Sequence, residues 1–270
     1  MKATVLIDNI SDNQLTQEWG LSIFIEHNEK KILLDTGASD NFYKNATKLQ
    51  IDISSVDYGV LSHAHYDHAD GMDTFFANNQ KAKFYLQRAC AENCYGKRFI
   101  FSKYIGIKKG VLGKYQDRIV YVDNQYEIEP GITLLPHKTE GLSEIGRQNH
   151  LYIKKAHSLY PDDFAHEQSL VLDTPAGIVI FNSCSHGGAD TIIKEVSAAF
   201  PSRKIHAIIG GFHLCHSSEK YILELADRIN ATGIEKIYTG HCTGQKAFEL
   251  LKGKLGNRIH QLKTGLIIES

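Results

Sequence analysis

Short β-branched and aliphatic runs open the chain at 4–9, 21–27 and 30–35 and predict strands, with Asn28-Glu29 turning the last two into a hairpin. The opening is therefore antiparallel. Phe42, Ala46 and Leu49 next share one face of a helix that Ser39 or Asp40 caps. The run 56–62 predicts a strand, 69–78 a helix and 82–86 a further strand. A helical segment over 87–95 would put Cys90 and Cys94 one turn apart on one face.

From Gly96 to about Ala165 the periodicity weakens, although 119–122 and 132–135 still read as strands around a turn at Glu129-Pro130-Gly131. The pattern restarts at 168–173, which turns through Thr174-Pro175-Ala176-Gly177 into 178–182. Helices and strands then alternate. Asp190 caps a helix with Ile192, Ile193, Val196, Ala199 and Phe200 as its stripe, and 205–209 is a strand. Ser217 or Ser218 caps the next helix, which buries Ile222, Leu225, Ala226 and Ile229 and stops at Gly233. A strand at 234–238, a helix at 246–255 and a strand at 266–268 complete the chain. This order predicts an α/β fold in one domain, 1–270, with an inserted cationic and aromatic lid region at about 96–165.

Composition narrows the partners. A net charge of -1 and a pI near 6.9 offer no general attraction to nucleic acid or anionic lipid. Asp8 interrupts the first apolar run before it reaches signal-peptide length, and no run approaches a membrane span, so a cytoplasmic protein is expected. The five cysteines, an odd number in a chain of this size, favour reduced thiols. Cys90 and Cys94 are expected to pack in the core, whereas Cys184, Cys215 and Cys242 each adjoin a histidine and should lie near one another. A homo-oligomer is compatible with all of this.

Between Tyr95 and Arg118 the cations Lys97, Arg98, Lys103, Lys108, Lys109, Lys114 and Arg118 face a single acid, Asp117. Such a lid could offer positive charge to a phosphate or carboxylate, with Lys97, Arg98, Lys103 and Tyr104 as the substrate-binding set. The alternative is a solvated loop with anchoring aromatic residues. Single-stranded nucleic acid has similar needs, but the stretch is short and the chain as a whole is not basic.

The chemistry concentrates in Leu61-Ser62-His63-Ala64-His65-Tyr66-Asp67-His68-Ala69-Asp70-Gly71. Imidazole nitrogen and carboxylate oxygen suit zinc and also tolerate manganese or iron. If His63 and His65 leave a strand on one face they can grip one ion, while Asp67 and His68 in the ensuing turn reach a second. Later, His186, His213 and His241 each follow a predicted strand and precede a helix. His137, His150 and His157 have no neighbours at ligand spacing and read as ordinary histidines.

His-x-His-x-Asp-His after Ile32-Leu33-Leu34-Asp35-Thr36-Gly37 resembles the metallo-β-lactamase superfamily. Asn182-Ser183-Cys184-Ser185-His186-Gly187-Gly188, Gly210-Gly211-Phe212-His213-Leu214 and Gly240-His241-Cys242-Thr243-Gly244 narrow the resemblance to the hydrolase subgroup that includes the archaeal dihydropterin-methyl-ribofuranosylaminobenzene-phosphate synthases. The resemblance implies a four-layer αββα sandwich. It implies two divalent ions, zinc first, one held by His63, His65 and His186 and the other by Asp67, His68 and His241. Asp35 would accept a hydrogen bond from a ligating imidazole, unless it is simply a turn aspartate.

The superfamily's bridging aspartate is absent: Cys184 takes its place or the bridge is missing, with His166 and Glu167 as reserve ligands. His213 would bind substrate or donate a proton, unless it is a strand-end histidine bonded to backbone. A hydroxide held between the ions, with Asp67 orienting it, would then hydrolyse a small anionic substrate, phosphate esters ahead of lactones or thioesters. Two alternatives use the same residues. One is a transferase joining a dihydropterin-methyl diphosphate to an aminobenzoate-derived ribosyl phosphate, and the other is a metal-bound ligand sensor without turnover.

Overall fold

Side-chain alternation along the strands decides the layering. In Ser22–His27, Ile23 and Ile25 point one way and Phe24 the other. Ile23 and Ile25 join Val5, Ile32 and Leu34 against Leu134, Leu170, Leu172, Val179 and Phe181 of a second sheet. Phe24, Leu6 and Leu33 face outward to Phe42, Ala46, Met72 and Phe75 of covering helices. On the second sheet Ile178, Ile180 and Ile208 pack outward against helices Ala189–Ala199, Glu219–Ala231 and Gln245–Leu255. Helix, sheet, sheet, helix is the αββα sandwich that the resemblance implies. The structure, a computed structural model, describes residues 1–11 and 14–270.

The first sheet runs in the order Ile267–Glu269, Lys2–Ile7, Ser22–His27, Lys30–Leu34, Tyr58–Val60, Lys83–Gln87, Ile119–Val122. The second runs Ile259–Gln261, Lys236–Thr239, Ile205–Gly211, Gly177–Cys184, Gln168–Thr174, Ile132–Pro136, Tyr126–Glu129. Each sheet is antiparallel on one side and parallel on the other. The parallel strands all deliver their carboxyl ends to the same rim. Asp35, His63, His186, His213 and His241 follow those ends.

Several local expectations change. The helix expected over 69–78 is two pieces, Tyr66–Ala69 and Met72–Asn78. Between them Gly71 passes so close to the chain that a Cβ would lie 2.3 Å from the Thr36 carbonyl oxygen. The segment 87–95 is not helical: it turns after Gln87 and enters the strand Cys94–Arg98. Cys90 and Cys94 are nevertheless both buried, beside His166. Gly188, not Asp190, precedes helix Ala189–Ala199, and the Asp190 carboxylate instead accepts from Arg228 and Lys194.

The stretch from 96 to 165 divides. Cys94–Arg98, Phe101–Tyr104, Leu151–Lys155 and Ser158–Pro161 form a four-stranded sheet of their own, while 119–122, 126–129 and 132–136 belong to the two large sheets. Its cations divide as well. Lys108 and Lys114 both pair with Asp73, and Arg118 donates to the Ala82 and Asn79 carbonyls. These three are paired within the fold. Lys97, Arg98 and Lys103 line an open cavity of about 750 Å³ with His150 and His216.

The hydrogen bond from Lys114, opposed by partial burial and reinforced by Lys108 and the Tyr115 hydroxyl, draws the Asp73 carboxyl from 3.8 to about 2. A depressed carboxyl contributes stability that is present above its unfolded pKa and is lost as pH falls through the folded one. Asp73→Asn is therefore expected to lower stability at neutral pH and to flatten its pH dependence between 3.8 and about 2. Urea midpoints measured across that range check this, and parallel acid limbs for the two proteins would contradict it.

Candidate metal centre

The rim is organised around a buried carboxylate. Where strand Lys30–Leu34 ends, Asp35 adopts a φ of 56° and turns its side chain under the 62–68 segment. Its Oδ1 accepts from Ser62 N at 2.7 Å, and its Oδ2 accepts from Ser62 Oγ at 2.7 Å and from His68 Nδ1 at 2.7 Å. Because the Ser62 hydroxyl gives its proton to Asp35, it accepts from His63 Nδ1 at 2.9 Å. Both imidazoles therefore carry a proton on Nδ1 and turn Nε2 toward the rim. His186 is oriented the same way, its Nδ1 donating to Glu167 Oε2 while its ring stacks on Phe164 at 4.1 Å. His241 Nδ1 donates to Asn9 Oδ1 at 3.1 Å.

The free nitrogens converge in two groups. In the first, Nε2 of His63, of His65 and of His186 are each buried without a hydrogen-bond partner, and the ligand atoms of these three residues lie within 4.8 Å of one another. Burial, then the neighbouring imidazoles, push His63 and His65 well below the ordinary histidine pKa, and burial also lowers His186. Three imidazoles held below the ordinary histidine pKa, with neighbouring Nε2 atoms that have no hydrogen-bond partner, are the donor set a borderline divalent ion takes.

In the second group His68 Nε2 and His241 Nε2 stand 3.1 Å apart, with Asp67 Oδ2 at 3.7 Å from the first and 3.5 Å from the second. Burial opposes charge on His68, but Asp67 and Asp35 outweigh it and raise its pKa, which favours a proton on the Nε2 that faces His241. A divalent cation between the two imidazoles and the Asp67 carboxylate would take the place of that proton. Asp67 is also among the least enclosed of these residues, its side chain 10% exposed.

Sulfur lies between the groups. Cys184, at the end of strand Gly177–Cys184, has its Sγ 3.6 Å from His68 Nε2 and shares close clusters with His63 and His68, with His241 and Cys242, and with His186 and His213. Its position borders both sets of nitrogens. The Cys242 Sγ is 3.2 Å away and accepts the His213 backbone N–H at 3.3 Å. Burial opposes ionisation of Cys242, but the hydrogen bond with Cys184 and the adjacent His241 and His213 hold it well below the ordinary thiol, while Cys184 is pushed up.

His166 sits behind the first group. Its Nδ1 accepts from Ala64 N at 3.2 Å and its Nε2 donates to Asp162 Oδ2 at 3.1 Å, so both ring nitrogens are engaged. Glu167 likewise grips a ring rather than projecting among the free nitrogens. His213, with φ 53°, lies beside His186 at 4.7 Å between ring centroids, and its buried Nδ1 has no partner. Burial opposes its charged form, but the Cys242 sulfur outweighs that and raises its pKa above the ordinary value. A cavity of about 430 Å³ opens over His186 and His213, and it shares Asn149 with the cavity lined by Lys97, Arg98 and Lys103. Tyr104 is turned aside, its hydroxyl donating to the Ile107 carbonyl.

Sequence reasoning missed Asn9, Ser62 and the supporting role of Glu167. Ser62 was within reach, because a serine immediately before a ligand-type histidine and downstream of a strand-end aspartate has a partner on either side. Asn9 carried no such signal, since it lies 232 residues from His241.

Residues 19–157, just over half of the chain, match the family model described as the metallo-beta-lactamase superfamily. The chain is 26% identical to the 7,8-dihydropterin-6-methyl-4-(beta-D-ribofuranosyl)-aminobenzene-5'-phosphate synthase of Methanocaldococcus jannaschii, covering 97% of each protein. Its fold is similar to that of Tm1679, a metal-dependent hydrolase of the beta-lactamase superfamily, with a TM-score of 0.82 and 29% identity over 100% of this chain and 99% of that one. A diphosphatase from the PhnP family shares the fold at a TM-score of 0.57 and 13% identity, over 100% of this chain and 97% of its own.

Asp35 fixes two of the rings that aim at the two groups, so Asp35→Asn is expected to weaken divalent-metal affinity by roughly 10–100-fold. Competition between the purified protein and a chelator measures this. Unchanged affinity would remove Asp35 from that role.

Proposed function

The chain belongs to the metallo-beta-lactamase superfamily, and from that premise we propose that it is a hydrolase working with two divalent ions, zinc first and manganese or iron as alternatives, on a small anionic ester. The observation that carries the reading is the set of buried imidazole nitrogens without partners at His63, His65 and His186, next to the cluster of Asp67, His68 and His241. When bound, such ions supply Lewis acidity and lower the pKa of water to roughly 7.

The residues of the chain do the rest. Ser62, Asp35, Glu167 and Asn9 hold four rings by their Nδ1 atoms, so the Nε2 atoms need no reorganisation. Asp67, the carboxylate among the free nitrogens, orients the attacking water and accepts its proton. His213, on the opposite side at His186, donates a proton to the leaving oxygen. Its buried Nδ1 has no competing partner, and the Cys242 sulfur raises its pKa against the effect of burial, which favours the protonated ring. Lys97, Arg98 and Lys103 in the adjoining cavity supply positive charge, which favours phosphate esters over lactones and thioesters.

A second reading is favoured by the similarity that covers 97% of the chain. In it the same residues serve a synthase that joins a dihydropterin-methyl group to a ribofuranosyl-aminobenzene phosphate. The compartment for either reading is the cytoplasm, where the free thiols stay reduced.

Metal-loaded protein assayed against aryl phosphate esters, lactones and the pterin pair separates the two. Turnover of simple phosphate esters supports the hydrolase, and product from the pterin pair alone supports the synthase. His65→Ala is expected to lose bound metal and activity together. His213→Gln should keep the metal but lower kcat by roughly 10²–10⁴-fold, most for poor leaving groups. Full metal content in His65→Ala would overturn the assignment.

A further inference from the structure

Hydrolysis requires at most one sulfur at this rim, yet two are built into it. Cys184 and Cys242 come from separate strand ends of the second sheet and meet with their Sγ atoms 3.2 Å apart, both cysteines buried. That gap exceeds a disulfide bond by only about 1.2 Å. The backbone is shaped to admit the pair. A Cβ on Gly211 would lie 2.5 Å from Cys242 Sγ, so only glycine leaves room for that sulfur, and the His213 N–H is spent on it. Cys184 Sγ is at the same time 3.6 Å from His68 Nε2, within the donor cluster.

We propose that Cys184 and Cys242 are a redox pair: hydrogen peroxide joins them in a reversible disulfide that withdraws the Cys184 sulfur from the ion-binding cluster. The second half of this statement rests on the metal reading above. The chemistry balances with peroxide as the sole oxidant. The Cys242 sulfur attacks one peroxide oxygen, the O–O bond breaks, and the departing hydroxide leaves as water with the Cys242 proton, giving a sulfenic acid. The Cys184 sulfur then attacks the Cys242 sulfur, the S–O bond breaks, and the hydroxide leaves as a second water with the Cys184 proton. Two thiols and one peroxide thus become one disulfide and two waters, and an added dithiol reverses the change by exchange. Peroxide is close to water in size, and the cavity over His186 and His213 is lined by Ser185, the residue next to Cys184. Cys215 is exposed and provides an internal control for unselective oxidation.

The full-length protein is treated with hydrogen peroxide, its remaining thiols are alkylated, and its peptides are mapped by mass. Divalent-metal affinity is measured before oxidation, after it, and after dithiothreitol. A Cys184–Cys242 linked peptide, a loss of metal affinity of at least about tenfold and recovery of both on reduction are expected. Cys242→Ser should form no linked peptide, and its metal affinity should not respond to peroxide. Oxidation confined to Cys215, or a linked peptide with unaltered metal affinity, would overturn the proposal. Reduced protein that binds no divalent ion while the linked peptide still forms would overturn the proposed function and the withdrawal step, and leave the disulfide standing.

Discussion

One carboxylate, Asp35, decides the geometry of the rim. It is fully buried, and it bears that burial because Ser62 N, Ser62 Oγ and His68 Nδ1 all donate to it. Removing any one donor would leave a desolvated charge short of a partner, so the arrangement is enforced as a unit. Its effect passes outward in two steps, directly to His68 and through the Ser62 hydroxyl to His63. The rings are thereby fixed before any ion arrives, and the energy of ordering them belongs to folding rather than to binding.

The sheets make this economical in sequence. Parallel strands bring their carboxyl ends to one rim, so residues as far apart as Asp35 and His241 need only follow a strand to meet. The antiparallel halves contribute supporting residues, Asn9 after Lys2–Ile7 and Glu167 before Gln168–Thr174. They present alternate side chains to the intersheet core and hold the parallel halves in register.

Much of this was legible in the amino-acid sequence because it depends on periodicity. Strands of the opening hairpin and of the second half were readable, since each buries one face or both in an apolar layer. The histidines after the later strands were readable for the same reason: a strand end fixes where the next residue goes. What was not legible depended on partners distant in sequence. The segment 87–95 has helical spacing, yet Gln87 is drawn to Gln168 across the sheets and Cys94 pairs into a sheet with Leu151–Lys155. The break at Gly71 reflects contact with Thr36 and Ser39. The lysines of the middle region looked alike until Asp73 claimed two of them.

Charge explains why sulfur should stand where a second carboxylate is absent. Asp35 and Glu167 touch the rings at Nδ1 and point away from the free nitrogens, and Asp162, engaged by His166 and the Phe164 N–H, comes no nearer than 4.0 Å to His65 Nε2. Of these carboxylates, only Asp67 places an oxygen among the Nε2 atoms of the second group. Neutral imidazoles add no negative charge, so a pair of dications there would be poorly compensated in a low-dielectric pocket. A thiolate at Cys184 or Cys242 would supply a further negative charge on a polarizable atom, and Gly211 and the His213 N–H create the space and the hydrogen bond for the Cys242 sulfur. Sulfurs in that role would make the charge balance depend on their oxidation state, which a carboxylate bridge would not.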